Sequence, residues 1–488
     1  MKKLCLFILI LGVQVMAAQT KHKLDFRFES VGAVGNGKLA PLWFTANRFG
    51  VNGNNNKQAF LRTAFFYQHS FTSGWNLVSG AEWVVGDQLE ARFWLHQAYV
   101  DASWKWLSFS VGSKERHDFP LERNEQLGGG WMVEGPNARP IPQIRIAVND
   151  YVLVPGTKKW IAFKAHLAYG WFTDGKWQED FVAANQKYFH KMLYHSKSLA
   201  FRIGNKEKFP IDFEVGIVNA AQFGGEQFCK NEDGTSSLLF KKPHGLKEYL
   251  KMMIPKQENL MVNVQGNHCG SWNFALNSYV GEWKVKAYLE HYFEDHSQMF
   301  WEYGRWKDGL LGVEIVPAKN QWISAIVWEG LCTKQQTSPL LYDGVDGSFT
   351  DLQMSGGDNY YNNREYLAWQ HHGATLGHPF LYGPMYNTDG SIYIKSSRVR
   401  ANHLGLSGNP SKVWSWRLLA SFVRHWGTYE IPLDKQRKQF SGLLEVKYVP
   451  SWINGWSFSA SWGFDRGNYL GNHTGGMFSI CKKGSFTW

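Results

Sequence analysis

Large and small side chains take strict turns along residues 456–467, WSFSASWGFDRG. Trp456, Phe458, Ala460, Trp462 and Phe464 fall on one parity, while Ser457, Ser459, Ser461, Gly463 and Asp465 fall on the other. Successive side chains of an extended strand point to opposite faces. The segment therefore predicts a strand with an aromatic face and a face that carries almost nothing bulky. The same scheme recurs in 160–171, where Ile161, Phe163, Ala165, Leu167, Tyr169 and Trp171 oppose Lys164, His166 and Gly170. It recurs again in 283–294, with Trp283, Val285, Ala287, Leu289 and Phe293 opposite Lys284, Lys286, Glu290 and Glu294. Residues 58–71, 75–86, 92–103, 197–204, 210–219, 414–425 and 439–449 follow it with more exceptions. These strands are close to the roughly 9–11 residues needed to cross a bilayer.

Alternation alone also fits a β-sandwich, so the connections carry the decision. Marking strands wherever the period holds gives about 18, the kind of even number that bacterial outer-membrane barrels have. Short connections are expected at Thr72–Gly74, Trp104–Lys105, Pro155–Lys159, Asn205–Phe209, Gly281–Glu282, Ala318–Asn320, Ser407–Lys412 and Pro450–Asn454. Longer ones alternate with them near 31–57, 114–142, 172–196, 220–269, 295–307, 332–396, 427–438 and 467–475, with 87–91 the short exception. Short periplasmic turns and long external loops are the signature of a transmembrane barrel. The expected fold is therefore all-β: a transmembrane antiparallel β-barrel with long extracellular loops. Two loop segments carry apolar residues at helical spacing, 179–193 and 245–253, and predict short α-helices packed over the barrel mouth.

Composition supports this picture. Aromatic residues make up 16% of the chain while mean hydropathy is only −0.36, so the aromatics are not gathered into long apolar helices. Residues 1–18 have Lys2 and Lys3, an apolar run from Leu4 to Val13 and small residues before Gln19, which predicts a cleaved signal peptide followed by a barrel over 19–488. Net charge is +11, of which Lys2 and Lys3 leave with the leader. An exported cationic chain favours polyanionic glycan or lipopolysaccharide over nucleic acid. Cys229, Cys269, Cys332 and Cys481 have no CxxC spacing, and either disulfides or free thiols fit the sequence. The final residues, FSICKKGSFTW, place Phe486 and Trp488 on one parity, like the C-terminal strand that barrel-assembly machinery recognises.

Four segments, PLWFTANRFG (41–50), GPNARPIPQIRI (135–146), GNHCGSWNF (266–274) and GGDNYYNNREYLAWQHHG (356–373), resemble the Wzi family of capsule-assembly outer-membrane proteins. The similarity runs in order over nearly the whole mature chain. It implies an 18-stranded barrel with an external helical bundle, acting as a lectin that holds exported capsular polysaccharide at the cell surface. That expectation is attachment of glycan, acidic polymers included, without catalysis or a cofactor. The alternative class is a porin for solutes or glycan fragments.

Candidate binding residues concentrate in two loops. In DNYYNNREYLAWQHH, Asp358, Asn359 and Asn362 can hydrogen-bond sugar hydroxyls, Tyr360, Tyr361 and Trp369 can offer flat faces to sugar rings, and His371 and His372 add donors. The bland reading folds the same groups onto the loop and over the lumen. Lys114, Arg116 and Arg139 share a second loop. Arg116 and Arg139 can meet carboxylate or phosphate, with prolines 136, 140 and 142 stiffening the backbone around Arg139. Pairing with Glu115 or Glu134 is the competing account, favoured for Lys114. Arg398, Arg400 and Asn402 on one strand, and Lys284, Lys286 and Glu290 on another, are expected to line a wet lumen. Adjacent histidines without a third spaced ligand are weak evidence for metal. No GxSxG, HExxH, P-loop or dinucleotide fingerprint occurs, and Glu290, Glu294 and Asp295, a grouping commonplace in or beside a strand, do not give the spatial separation that would mark a glycosidase pair.

Overall fold

The computed structural model describes residues 21–243, 245–253, 266–294, 299, 308–338 and 356–488. The leader, residues 1–18, lies outside them.

Eighteen antiparallel strands form one closed sheet. They are β1 (Lys21–Asn36), β2 (Lys57–Ser70), β3 (Trp75–Asp87), β4 (Phe93–Trp104), β5 (Leu107–Ser113), β6 (Gln143–Leu153), β7 (Ile161–Trp171), β8 (Leu193–Ile203) and β9 (Ile211–Phe223). The second half comprises β10 (Asn267–Val280), β11 (Trp283–Phe293), β12 (Gly309–Val316), β13 (Ala325–Cys332), β14 (Val399–Gly408), β15 (Trp414–Gly427), β16 (Pro432–Tyr448), β17 (Trp456–Gly467) and β18 (His473–Thr487). Each strand pairs with its neighbours in sequence, and β1 closes the ring on β18 over Lys23↔Thr487 to Asn36↔Thr474. Closure satisfies every ladder group internally, the condition for crossing lipid with strands. No described helix is long and apolar enough to cross a membrane.

The predicted faces are present. Along β17, Trp462 is 54% exposed while Ser461, Gly463 and Asp465 are buried. Along β7 the burial alternates residue by residue, with Lys164, His166 and Gly170 inside. Aromatics ring the short-turn end: Trp75, Trp104, Trp160, Trp283, Trp414 and Trp452 are all exposed there, as interfacial girdles are in transmembrane barrels.

Three expectations change. The 427–438 and 467–475 connections shrink to 428–431 and 468–472, because β15 and β16 pair out to Gly427↔Pro432 and β17 and β18 to Asp465↔His473, beyond the point where their alternation frays. The helix expected over 179–193 is a helix over Gly175–Phe181, here α2; Asn185 then takes a positive φ of 63° and Lys187–His190 pairs as a strand with Glu226–Cys229. Strand pairing there overrides a helical apolar spacing. The helix over 245–253 forms as α3 (Leu246–Met253), but it packs on the outer wall: Tyr249 meets the rings of Tyr169 and His195, both outward-facing, at 4.8 and 5.6 Å. With α1 (Leu42–Thr45) and one 3-10 turn, these are short separate helices, and the implied external helical bundle does not occur among the described residues.

Candidate functional site

Three of the chain's own loops pack into the lumen. The loop over 114–142, L3, descends from the loop end past the middle of the wall. Lys164, Lys286 and Arg417, each the fourth residue of its strand from the short-turn end, donate to the carbonyls of Phe119 (2.6 Å), Glu122 (2.6 Å) and Gln126 (3.0 Å). Higher up, Arg123, almost fully buried, pairs with Glu290 at 2.9 Å and Glu329 at 3.7 Å. The amides of Met132 and Gly129 bond the same two carboxylates. Glycine makes room for the loops inside the wall: a Cβ at Gly405 would strike the Leu127 carbonyl of L3, and one at Gly463 would come within 2.7 Å of the Phe44 ring of α1.

Two further loops lock onto L3. In 37–56, L1, the Leu42 amide bonds Asp465 at 3.0 Å and the Asn47 amide side chain bonds the Gly129 carbonyl at 3.0 Å. In 333–398, L7, Trp369 Nε1 donates to Val133 at 2.7 Å and the Tyr361 hydroxyl donates to Met132. Tyr360, Tyr361 and Trp369 are at most 1% exposed. Their faces, expected to carry sugars, are covered by protein, because they belong to the apolar core that holds L7 against L3. Asp358, Asn359 and Asn362 are partly exposed. Asn359 donates to Tyr393 (2.6 Å) and Glu430, and Asn362 is held by Asn359 and the Ile394 carbonyl, so these serve the loop's own fold. Lys286 and Glu290 do face inward, as expected, but they bond the plug instead of water. Arg400 and Asn402 face outward, a correction to their expected place in the lumen.

Arg139 and His372 converge on an open cleft at the loop end. L1 contributes Gly50 to Asn55, the 88–92 hairpin L2 contributes Leu89 and Glu90, α2 contributes Trp177 and Phe181, and L7 contributes His372, Ala374, Met385 and Tyr386. The cavity is about 180 Å³. Trp177 and Phe181, one helical turn apart, stack at 4.8 Å, and Trp177 lies against Gly373, where a Cβ would come within 2.7 Å of its ring. Asp174 fixes α2 to L7 by accepting from Gln178 (3.1 Å), Gln370 (2.8 Å) and the His372 amide (3.2 Å).

The cleft's charged group is a trio. Glu90 accepts from Arg139 at 2.8 Å and meets His372 Nδ1 at 2.5 Å, while Arg139 also lies 4.0 Å over the Trp94 ring. The Glu90 carboxylate is only 18% exposed. Burial pushes its pKa up to about 7, against the opposing pull of Arg139 and His371. Burial, and then the Arg139 charge, pulls His372 down to about 3. Beneath, His371 donates Nδ1 to the Arg139 carbonyl at 2.9 Å; burial and then His372 lower it to about 4. The two histidines are therefore neutral at pH 7, and Arg139 faces a half-ionised partner.

Arg116 lines a smaller neighbouring cavity with Asp118 and Arg145 and donates to Ser110 at 3.0 Å. Lys114 is ion-paired, as its competing account held, though to Asp101 at 2.5 Å and not to Glu115 or Glu134. Trp177, Glu90 and the asparagines of L1 were not singled out from sequence. The one available signal was the run VNGNNN at 51–56, whose polarity inside an aromatic loop marks a wet surface. Among the described residues one trio, Glu82, His96 and Glu115, has metal-ligand proximity, but Arg27 and Arg62 already neutralise its carboxylates. Cys229, Cys269, Cys332 and Cys481 are all free thiols.

A closed 18-stranded wall with an apolar exterior, an aromatic girdle and short turns at one end and a polar cleft at the other defines a transmembrane β-barrel of the outer-membrane class. No family model and no curated protein matches the chain. Among solved structures it is similar to Wzi of Escherichia coli, described as an outer-membrane protein involved in group 1 capsule assembly and a carbohydrate-binding β-barrel. The identity is 14%, the match covers 93% of this chain and 83% of that one, and the TM-score is 0.55. The resemblance of the four sequence segments thus extends to the fold. Two Pseudomonas aeruginosa barrels superpose less closely: OccK5 (10% identity, 96% and 98% covered, TM-score 0.47) and OprD (8%, 95% and 95%, 0.46).

Proposed function

We propose that the protein binds surface polysaccharide in the loop-end cleft and so helps attach or assemble capsular or exopolysaccharide on the cell, without catalysis. The observation that carries this reading is an open cleft of mixed chemistry at the loop end, above loops that pack into the lumen. Trp177 and Phe181 supply an aromatic platform for a sugar face, Asn54 and Asn55, whose Nδ2 groups bond the Met385 and Gln88 carbonyls, supply side-chain acceptors for hydroxyls, and Arg139 supplies a fork for carboxylate or phosphate. Such a set binds a sugar and holds no activated nucleophile. The likeness to a carbohydrate-binding barrel agrees with it.

The test is a glycan array probed with detergent-solubilised protein and with Trp177→Ala. The parent should bind a restricted set of polymers, and Trp177→Ala should bind them about tenfold more weakly, the upper end of an aromatic contact worth roughly 0.5–1.5 kcal/mol. A folded parent that binds no glycan, or a variant that binds as the parent does, defeats the assignment. Conductance in planar bilayers addresses the porin alternative: the parent should be electrically quiet.

A further inference from the structure

The outer wall carries charge near the loop end, where lipid headgroups meet a barrel. On β14 the outward parity that holds Leu404 also holds Asn402 and Arg400. On β15 the outward row climbs through Ala420 and Phe422 to Arg424. The register places Arg400 opposite Arg424, and Arg424 opposite Lys438 of β16. Arg466 of β17 pairs with Phe440, which sets it diagonal to Lys438. Three cations therefore share one rung across three adjacent strands, with a fourth beside them.

Like charges directly opposite in a sheet destabilise it unless something neutralises them. Among the described residues none of the four is in an ion pair, and the one carboxylate that acts on the rung is Asp308, which attracts Arg400 alone. Arg424 lies 5.5 Å over the Phe422 ring, Arg466 donates to the Asp465 carbonyl at 3.1 Å, and Arg400 stands opposite Cys332 in the register. Asp308, on the same groove, already accepts the amides of Gln335 (3.0 Å) and Gln336 (2.6 Å). Two residues further into the membrane stand Phe422, Phe440 and Phe464. A cavity of about 410 Å³ joins the two levels, with Leu311, Trp328 and Phe422 on its apolar side and Arg400, Asn402 and Arg424 on its polar side.

We propose that this rung is a binding site for the phosphorylated headgroup of an outer-leaflet glycolipid, with the phosphate on Arg400, Arg424 and Lys438 and an acyl chain along Trp328 and Phe422. Charge complementarity selects an anion, and guanidinium forks match phosphate geometry. The apolar floor directly beneath selects an amphiphile over a free ion. The position near the loop end is where a lipid-facing cation costs least. This site is on the opposite side of the wall from the cleft and does not depend on the glycan reading.

The test uses the full-length protein in detergent, titrated with a bisphosphorylated acyl-glucosamine lipid and with the same lipid dephosphorylated, read by native mass spectrometry. The parent should prefer the phosphorylated form by at least about tenfold, since each cation near a lipid phosphate contributes roughly a fivefold factor. Arg400→Gln/Arg424→Gln/Lys438→Gln should lose the preference while Trp177→Ala keeps it. Equal binding of the two lipids by the parent, or an unchanged preference in the triple variant, overturns the proposal. So does full displacement by millimolar inorganic phosphate, which would assign the rung to a soluble anion. If the triple variant does not assemble, Arg424→Gln alone should lower the preference about fivefold, and no change would be equally damaging.

Discussion

Glu90 and Arg139 form an ion pair that competes with any acidic ligand for the same guanidinium. With the Glu90 pKa near 7, the carboxylate gains its proton as pH falls through neutrality, and the negative charge holding Arg139 disappears. Binding of an acidic glycan should therefore strengthen from pH 8 to pH 6. Glu90→Gln should bind at pH 8 as tightly as the parent does at pH 6, with a flat profile between, as titration calorimetry at three pH values can check. A parent profile that is already flat would show that Arg139 does not meet the glycan. Arg139 was legible in the sequence because prolines stiffen a lone arginine in a loop, whereas Glu90 was not, because its role depends on a hairpin tip folding against a loop some 280 residues away. Arg400 teaches a different lesson. Its residue type suggested water, but its parity, shared with Leu404 and Leu406, put it outside, and in a wall with one solvent per face parity outranks type.

The elements divide by whether lipid touches them. Strands and turns could be read from sequence because the bilayer imposes one solvent along a whole face, which writes a period of two. L1, L3 and L7 could not, since a loop packed inside a lumen meets protein from every direction and needs no period. The segment 358–372 illustrates this: its aromatics looked like a binding surface and are instead the plug's core. Arg123 is the pivot of that plug. Replacing it with methionine leaves Glu290 and Glu329 buried without their cation, a loss of about 3–5 kcal/mol that falls on L3 and spares the ladder hydrogen bonds of the wall. Arg123→Met should assemble into membranes normally yet show discrete conductance steps in planar bilayers where the parent shows none. Adding Glu290→Gln and Glu329→Gln removes the stranded charges and should quieten it again. Silence from the single variant would mean that the other contacts of L3 suffice.

At the scale of the whole molecule, a closed wall anchored by an aromatic girdle is a fixed post, and its usefulness as a tether depends on numbers. On the proposed reading one cleft would contact a few sugars, and an aromatic contact is worth about 0.5–1.5 kcal/mol, too little to retain a polymer against diffusion. A long chain gripped by many barrels is held by effective concentration, so overall retention rises far faster than the number of posts. Cells lacking the protein should still make the polymer but release it to the medium, and resupplying Trp177→Ala should fail to recover it. Graded expression provides the sharper measurement. If retention is multivalent, lowering the copy number tenfold should reduce cell-bound polymer by much more than tenfold, whereas independent one-to-one attachment gives a proportional fall. A proportional fall would place the grip in a single strong site per chain, which a cleft of about 180 Å³ is too small to supply.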